Sequence, residues 1–448
     1  MRKSPIACAV NARLAACTAT VLLGASAAAQ DCAPAWDTGF PGGTPNGFTL
    51  TAAIASPGGE ERIFLGGAFL TIGGISTNRI AQWDGSAWST LGSGLNDRPN
   101  AMVFYDDGSG AGERLFVGGK FTVAGGVFAA KVGAWDGTTW SGLGSGLQTS
   151  SSAITRALAV HDDGTGAALY AGGVFNTAGG QPVSNIARWD GASWSALGPG
   201  LNGPVFALAV HDDGTGPALY AGGGFTATGD GATSLSSDAR WDGSTWSSVG
   251  DELTGDVLAM TSANPGGGPN RLFIGGDFTG VAPGVSAVAT LDGNVWAPLG
   301  TGAAFPVRAL HAFDDGAGPA LAAAGDFAFI GGVTARALAR WDGAAWSDIG
   351  GSMETSSTAH ALAFGDFAGE PSLIVGGLFD GATDNVARWV GCAAAGSGPD
   401  ANGDGAVNGA DLGLLLGAWG TANGAFDYNN DGTVDGDDLG VLLGAWTG

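Results

Sequence analysis

The run ALAVHDDGTGAALYAGGVFNTAGGQPVSNIARWDGASWSALGPGL, residues 157–201, decides the fold. It holds four short segments: ALAVHDDGTG, ALYAGGVF, SNIARWDG and ASWSALGPGL. Each mixes β-branched, aromatic and small apolar residues and ends in glycine or aspartate turn chemistry. Asp162-Asp163-Gly164 and Asp190-Gly191 are typical hairpin-turn residues, because both residue types tolerate positive φ. Four antiparallel strands in about 50 residues is the content of one β-propeller blade.

The unit recurs. A glycine pair followed by a phenylalanine two residues on appears as GGAF at Gly66, GGKF at Gly118, GGVF at Gly172, GGGF at Gly222, GGDF at Gly275 and GGLF at Gly376. A degenerate copy, Ala324-Gly325-Asp326-Phe327, makes seven, at spacings of 52, 54, 50, 53, 49 and 52 residues. A near-constant period of this length marks a repeat architecture. The expected fold is therefore mainly β: a seven-bladed β-propeller with four-stranded blades. Tryptophans recur five apart, at Trp83/Trp88, Trp135/Trp140, Trp189/Trp194, Trp241/Trp246 and Trp341/Trp346. Rings of this size at nearly every repeat are read as packing between neighbouring blades; an aromatic platform for sugars is the alternative.

The two ends of the repeat region complement each other. The seventh repeat stops after its third segment, VARWVGC, ending at Cys392, and the missing fourth segment matches CAPAWDTGFPGG from Cys32. Trp36 then takes the place of Trp88, Trp140 and Trp194. The N-terminal strand is expected to close the last blade, and in that register Cys32 and Cys392 face each other as a disulfide pair.

Composition bounds the rest. Of 448 residues, 84 are glycine and only 13% are charged, which suits short strands and tight turns over helices. The formal charge of −24 repels phosphate backbones and makes nucleic acid an unfavourable partner. Met1-Arg2-Lys3, an apolar stretch from Leu14 to Ala29 and Ala27-Ala28-Ala29 before Gln30 read as a signal peptide over residues 1–29. No later stretch is apolar for long enough to span a bilayer as a helix. The expectation is an exported protein, extracellular or at the cell surface, where a disulfide persists. The propeller is placed at residues 30–392.

After Cys392 a linker at 393–399 leads to a small domain at 400–448. Two calcium-loop patterns follow, DANGDGAVNGAD from Asp400 to Asp411 and DYNNDGTVDGDD from Asp427 to Asp438. Ca²⁺ takes six to eight oxygen ligands. Side chains of Asp400, Asn402 and Asp404, the Ala406 carbonyl, Asn408 and Asp411 fit the first loop. Asp427, Asn429, Asp431, the Thr433 carbonyl, Asp435 and Asp438 fit the second. Gly405 and Gly432 supply the turn. Each loop runs into an apolar helical stretch, LGLLLGAW at Leu412–Trp419 and LGVLLGAW at Leu439–Trp446. Two Ca²⁺ ions are expected.

The repeats resemble kelch-like propellers and, more closely, the WDGxxWSxLGxGL repeats of bacterial and fungal cell-surface proteins, over residues 32–392. That resemblance implies a fold and a surface location and no particular reaction. A loop followed by a single helix, twice, with Asp at the twelfth position, resembles the type I dockerin duplicate over residues 400–447. It implies two bound calcium ions and a protein receptor. Dockerins of the cellulosomal type carry Ser/Thr at loop positions 10 and 11 and a Lys-Arg pair on the helix. Here Gly409-Ala410 and Gly436-Asp437 stand there, and no Lys or Arg follows Arg388. This argues against a cellulosomal-type cohesin as the receptor.

No catalytic constellation emerges. His161 and His211 share one repeat position, and Tyr170 and Tyr220 another. Asp107, Asp163, Asp213 and Asp315 recur by repeat, whereas chemistry breaks repeat symmetry. Arg188, Arg240, Arg340 and Arg388 precede the third-segment Trp and are expected to pair with an Asp of a neighbouring blade. No G-x-S-x-G elbow, zinc signature or nucleotide loop occurs. The sequence favours a non-catalytic propeller that binds protein or glycan. The alternative is a polysaccharide-degrading enzyme of O-glycosyl hydrolase type, which rests on the company dockerins keep.

Overall fold

A computed structural model describes residues 34–37, 40, 43–108, 110, 112–149, 152–280, 285–349, 357–379, 385–391, 407, 409–420, 426, 434–444 and 446. The chain divides into two compact units, the larger spanning Pro34–Ala393 and the smaller containing Ala394–Gly448.

In the larger unit each repeat becomes one antiparallel four-stranded sheet. The third is representative: Ile154–Asp162, Ala167–Val174, Ile186–Trp189 and Trp194–Ala196 pair in that order. Seven such sheets occur among the described residues. The seventh takes Thr358–Phe367, Glu370–Leu378 and Val386–Val390 from the end of the repeats and Ala35–Trp36 from the start, with Ala35 opposite Val390 and Trp36 opposite Trp389. First strands of successive sheets lie side by side, and Thr49–Ala55 of the first sheet lies beside Thr358–Phe367 of the seventh. The array is thus cyclic, with the first strands innermost. This is the arrangement of a β-propeller.

The tryptophan pairs hold sheet to sheet. Trp189 and Trp194 lie opposite each other with ring centroids 5.4 Å apart, and both are buried. The Trp194 Nε1–H donates to the carbonyl of Leu143, in the turn that ends the preceding sheet, at 3.0 Å. Trp140, Trp246 and Trp346 repeat this bond onto Leu91, Leu197 and Leu299. Each ring so placed buries a large apolar area and satisfies its one polar atom. The first and seventh sheets share a core of the same kind, in which Leu65 and Trp83 meet Phe367 and Ile374.

The recurrent glycine pair has two separate duties. The first glycine admits the neighbouring sheet: a Cβ on Gly172 would strike the Val205 side chain, and one on Gly222 would strike Val257. The second admits its own inner strand: a Cβ on Gly173 would run into the Ile154 carbonyl oxygen. The degenerate copy obeys the same rule by compensation. Where the first glycine becomes Ala324, the opposing position of the next sheet becomes Ala359, and both are fully buried in one cluster.

The arginine column differs from its expected pairing. Arg188 lies 3.6 Å from Asp163, Arg240 3.1 Å from Asp213 and Arg340 3.7 Å from Asp315. Each carboxylate belongs to the arginine's own sheet, because the first hairpin turn folds over the end of the third strand. The neighbour is met by the turn glycine instead: Gly243 of the fourth sheet abuts the Asp163 carbonyl of the third.

In the smaller unit, helices α1 (Gly409–Gly417) and α2 (Gly436–Gly444) share a small core of Val407, Leu415, Ala418, Val434 and Leu442. Among the described residues no helix is long and apolar enough to cross a membrane.

Candidate functional site at the mouth of the channel

Every inner strand carries a β-bulge at the same place. Pairing skips one residue between Thr49 and Thr51, Pro99 and Ala101, Thr155 and Ala157, Val205 and Ala207, Val257 and Ala259, Val307 and Ala309, and Ala359 and Ala361. The extra residues are Leu50, Asn100, Arg156, Phe206, Leu258, Arg308 and His360. A bulge frees one residue from the ladder and re-aims its side chain. Opposite each bulge stands the glycine pair, or Ala324-Gly325 in the sixth sheet, whose second member leaves room for the displaced backbone. The most regular feature of the repeats therefore seats the least regular position.

The ring of bulges lies where the inner strands begin, at one end of an axial cavity of about 710 Å³. All seven sheets line that cavity, through Thr51, Met102, Leu158, Leu208, Met260, Leu310 and Leu362 among others. Its lining mixes aliphatic residues with Thr51, Asn100, Glu113, Thr261 and His311, and the bulge residues stand at its mouth. Arg156 is exposed, and the other six bulge residues are half-buried. The Arg156 guanidinium stacks over the Phe206 ring at 5.4 Å. Burial, then the charges of Arg98 and Arg308, hold its pKa below the ordinary guanidinium value. Arg98 and Arg156 make no ion pair among the described residues, and the buried Nε of Arg98 has no hydrogen-bond partner. Arg308 is held by Asp326 through two hydrogen bonds of 2.7 and 2.6 Å, which together with Asp277 keep it charged. The His360 ring lies 6.4 Å from Phe48, and burial followed by repulsion from Arg308 lowers its pKa. Asp256, opposite Asp277 in the fifth sheet, supplies carboxylates to the same end.

Sequence reasoning did not find this ring. Its signal was present: the residue before the Thr51, Ala101, Ala157, Ala207, Ala259, Ala309 and Ala361 column changes character from repeat to repeat. The recurrent histidines and tyrosines are buried at equivalent places in their sheets. His161 and His211 are buried, and the Tyr170 and Tyr220 hydroxyls donate to Asp163 and Asp213 at 2.9 and 3.1 Å. Burial, helped by the Asp213 charge, pushes the Tyr220 pKa up to about 12.

Of the expected calcium ligands, Asp411, Asp435 and Asp438 are described. Asp411 and Asp438 are each withdrawn fully from solvent on their helices, and the Asp435 N–H donates to Asp438 Oδ2 at 2.8 Å. Oxygen-only donors, two of them buried carboxylates, fit a hard cation, since a buried carboxylate needs a compensating charge or bonds. Asp400, Asn402, Asp404, Ala406, Asn408, Asp427, Asn429, Asp431 and Thr433 lie outside the described residues, as do Cys32 and Cys392. Among the described residues no three His, Cys, Asp or Glu side chains gather as a metal cluster.

No family model and no curated protein matches the chain. Solved structures do. The extracellular domain of a protein described as a one-component system of B. thetaiotaomicron overlaps 79% of this chain and 39% of its own, at 11% identity and a TM-score of 0.42. Its counterpart described as a hybrid two-component system overlaps 80% and 40%, at 12% identity and a TM-score of 0.41. BBS1N, solved in complex with ARL6DN, overlaps 80% of this chain and 97% of its own, at 12% identity and a TM-score of 0.44. The chain spans about two fifths of the length of the two extracellular domains.

Proposed function

We propose that the chain is an exported, non-catalytic seven-bladed β-propeller that holds an extracellular glycan or protein ligand at the mouth of its channel. A C-terminal dockerin-like module, loaded with two Ca²⁺ ions, docks it to a protein receptor. The observation that carries the first half is the ring of bulges: seven otherwise equivalent positions hold five residue types, with Leu and Arg twice each. Packing alone gives no reason for that variety, whereas a shaped ligand does. The second half is supported by a duplication visible in burial. Residues 27 apart behave alike: Val407 and Val434, Leu415 and Leu442, and Asp411 and Asp438 are buried. Leu414, Leu416 and Trp419, with their counterparts Val441, Leu443 and Trp446, are exposed. An apolar, twofold-repeated face with no Lys or Arg suits an apolar receptor surface better than a charged one.

The disulfide belongs to the same reading. The pairing of Ala35 with Val390 brings together segments that begin three residues after Cys32 and two before Cys392. Residues 1–29 are the signal peptide of this reading and 393–399 its linker.

Calcium titration of the full chain by calorimetry is expected to show two sites at millimolar affinity or tighter. A flat titration overturns the docking module. A glycan array scored for both retention and hydrolysis tests the propeller. Retention without turnover is expected, and turnover replaces the binding protein with an enzyme.

A further inference from the structure

We infer that the channel mouth binds a carboxylate-bearing sugar at the end of an acidic glycan chain, through Arg98 and Arg156 with Arg308 beside them. The inference rests on the binding reading above and names its ligand class. Of the fourteen Lys and Arg side chains among the described residues, seven form an ion pair and seven do not, and two of the latter stand at the channel mouth. Arg114, Arg188, Arg240, Arg308, Arg340 and Arg388 each sit against a carboxylate. Among the described residues Arg98 and Arg156 do not. Arg156 and Arg308 hold the same bulge position in the third and sixth sheets, next to the cavity-lining Ala157 and Ala309, and Arg98 lies two residues before the cavity-lining Asn100 of the second. The charges of Arg98 and Arg308 both bear on Arg156, and only Arg308 has a carboxylate, Asp326, to offset it. A planar anion that all of them can reach offsets that repulsion, because guanidinium and carboxylate match as paired donors and acceptors.

The surroundings narrow the class. A cavity of about 710 Å³ falls within the roughly 300–1,000 Å³ typical of small-ligand sites, so it takes a chain end and not a folded face. In ring order Leu50, with Phe48 beside it, is followed by Asn100 and Arg156, then Phe206 and Leu258, then Arg308 and His360, so apolar faces stand between pairs of planar donors. A pyranose ring presents that combination, with C–H faces and hydroxyl edges. An acidic peptide would be held along its backbone, and the free edges of the inner strands open only into the channel. Asp256 and Asp277 lie on the fifth-sheet side, and the chain as a whole repels polyanions. Both confine the favourable field to a single carboxylate, which favours a terminal residue over the middle of a polyanion.

The test is calorimetry on the full-length protein with a tetramer of galacturonic acid, the same tetramer with its carboxyls reduced to alcohols, and tetraglutamate. The uronate tetramer is expected to bind. Arg156→Gln, at an exposed position, and Arg98→Gln, at a half-buried one, should each weaken it about tenfold, the worth of one charge-assisted hydrogen-bonded pair. Arg156→Lys should restore part of the loss. Equal binding of the reduced tetramer, or indifference to both arginine variants, overturns the carboxylate while leaving a binding propeller in place. Binding of tetraglutamate as tight as the uronate overturns the sugar. If none of the three binds and the glycan array is also blank, the binding reading falls with it.

Discussion

Asp238 occupies a place that belongs to an aliphatic side chain in every other sheet: Ile80, Val132, Ile186, Val288, Leu338 and Val386 are its equivalents. It is fully buried and accepts the Trp296 Nε1–H at 2.8 Å. In five of the other sheets the corresponding indole, of Trp88, Trp140, Trp194, Trp246 or Trp346, donates to a backbone carbonyl. Burial pushes the Asp238 pKa up to about 8, against the opposing pull of the Trp296 bond and the Val249 N–H. An unfolded aspartate titrates near 3.9, roughly. Below about pH 4 both states hold the proton and stability is at its full value. Between about 4 and 8 the unfolded chain releases it while the folded chain keeps it, so stability falls as pH rises, by up to about 1.4 kcal/mol per unit. Asp238→Asn keeps an oxygen for Trp296 and has no proton to lose. Its melting temperature should gain on that of the parent steadily from pH 5 to 8; parallel curves would show that Asp238 does not titrate in this window.

At the scale of the element, the glycine pair and the bulge opposite it are one device. Apolar periodicity and turn residues made the four strands of each repeat legible, because they record which side chains face a core. A bulge leaves no such record. One added residue in the strand Ile154–Asp162 disturbs neither its composition nor its turns, so Arg156 passed as an ordinary strand residue. The arginine column was readable as ion-paired but not as paired within its own sheet, since turn direction is not written in spacing. The fit between sheets is testable where it departs from rule. Ala359→Val puts two methyl groups against Ala324 in a filled core and should destabilise by roughly 1–3 kcal/mol. Ala324→Gly opens a void at the same contact. Together the two changes recreate the Gly275–Val307 arrangement, so their combined cost should be smaller than either alone. Simple additivity in urea unfolding would mean that Ala324 and Ala359 do not compensate.

For the molecule as a whole, repeat length and the complementary ends of the repeat region made the cyclic array readable before any coordinate. The channel mouth was not, because it belongs to no single repeat and exists only once the sheets stand in a circle. The mouth depends on that closure. Ala35–Trp36 is a strand of two residues, and so short a strand holds a ring shut only weakly by itself. A Cys32–Cys392 disulfide spans 360 residues of chain. In the chain-entropy description such a link contributes at most about 5–6 kcal/mol. The most direct measurement is peptide mapping of the protein, kept under oxidising conditions, by mass spectrometry without reduction. One cross-linked peptide pair joining Cys32 to Cys392, with no free thiol, is the outcome required by a circle fastened where it begins and ends. Cys32 and Cys392 found unlinked would contradict it.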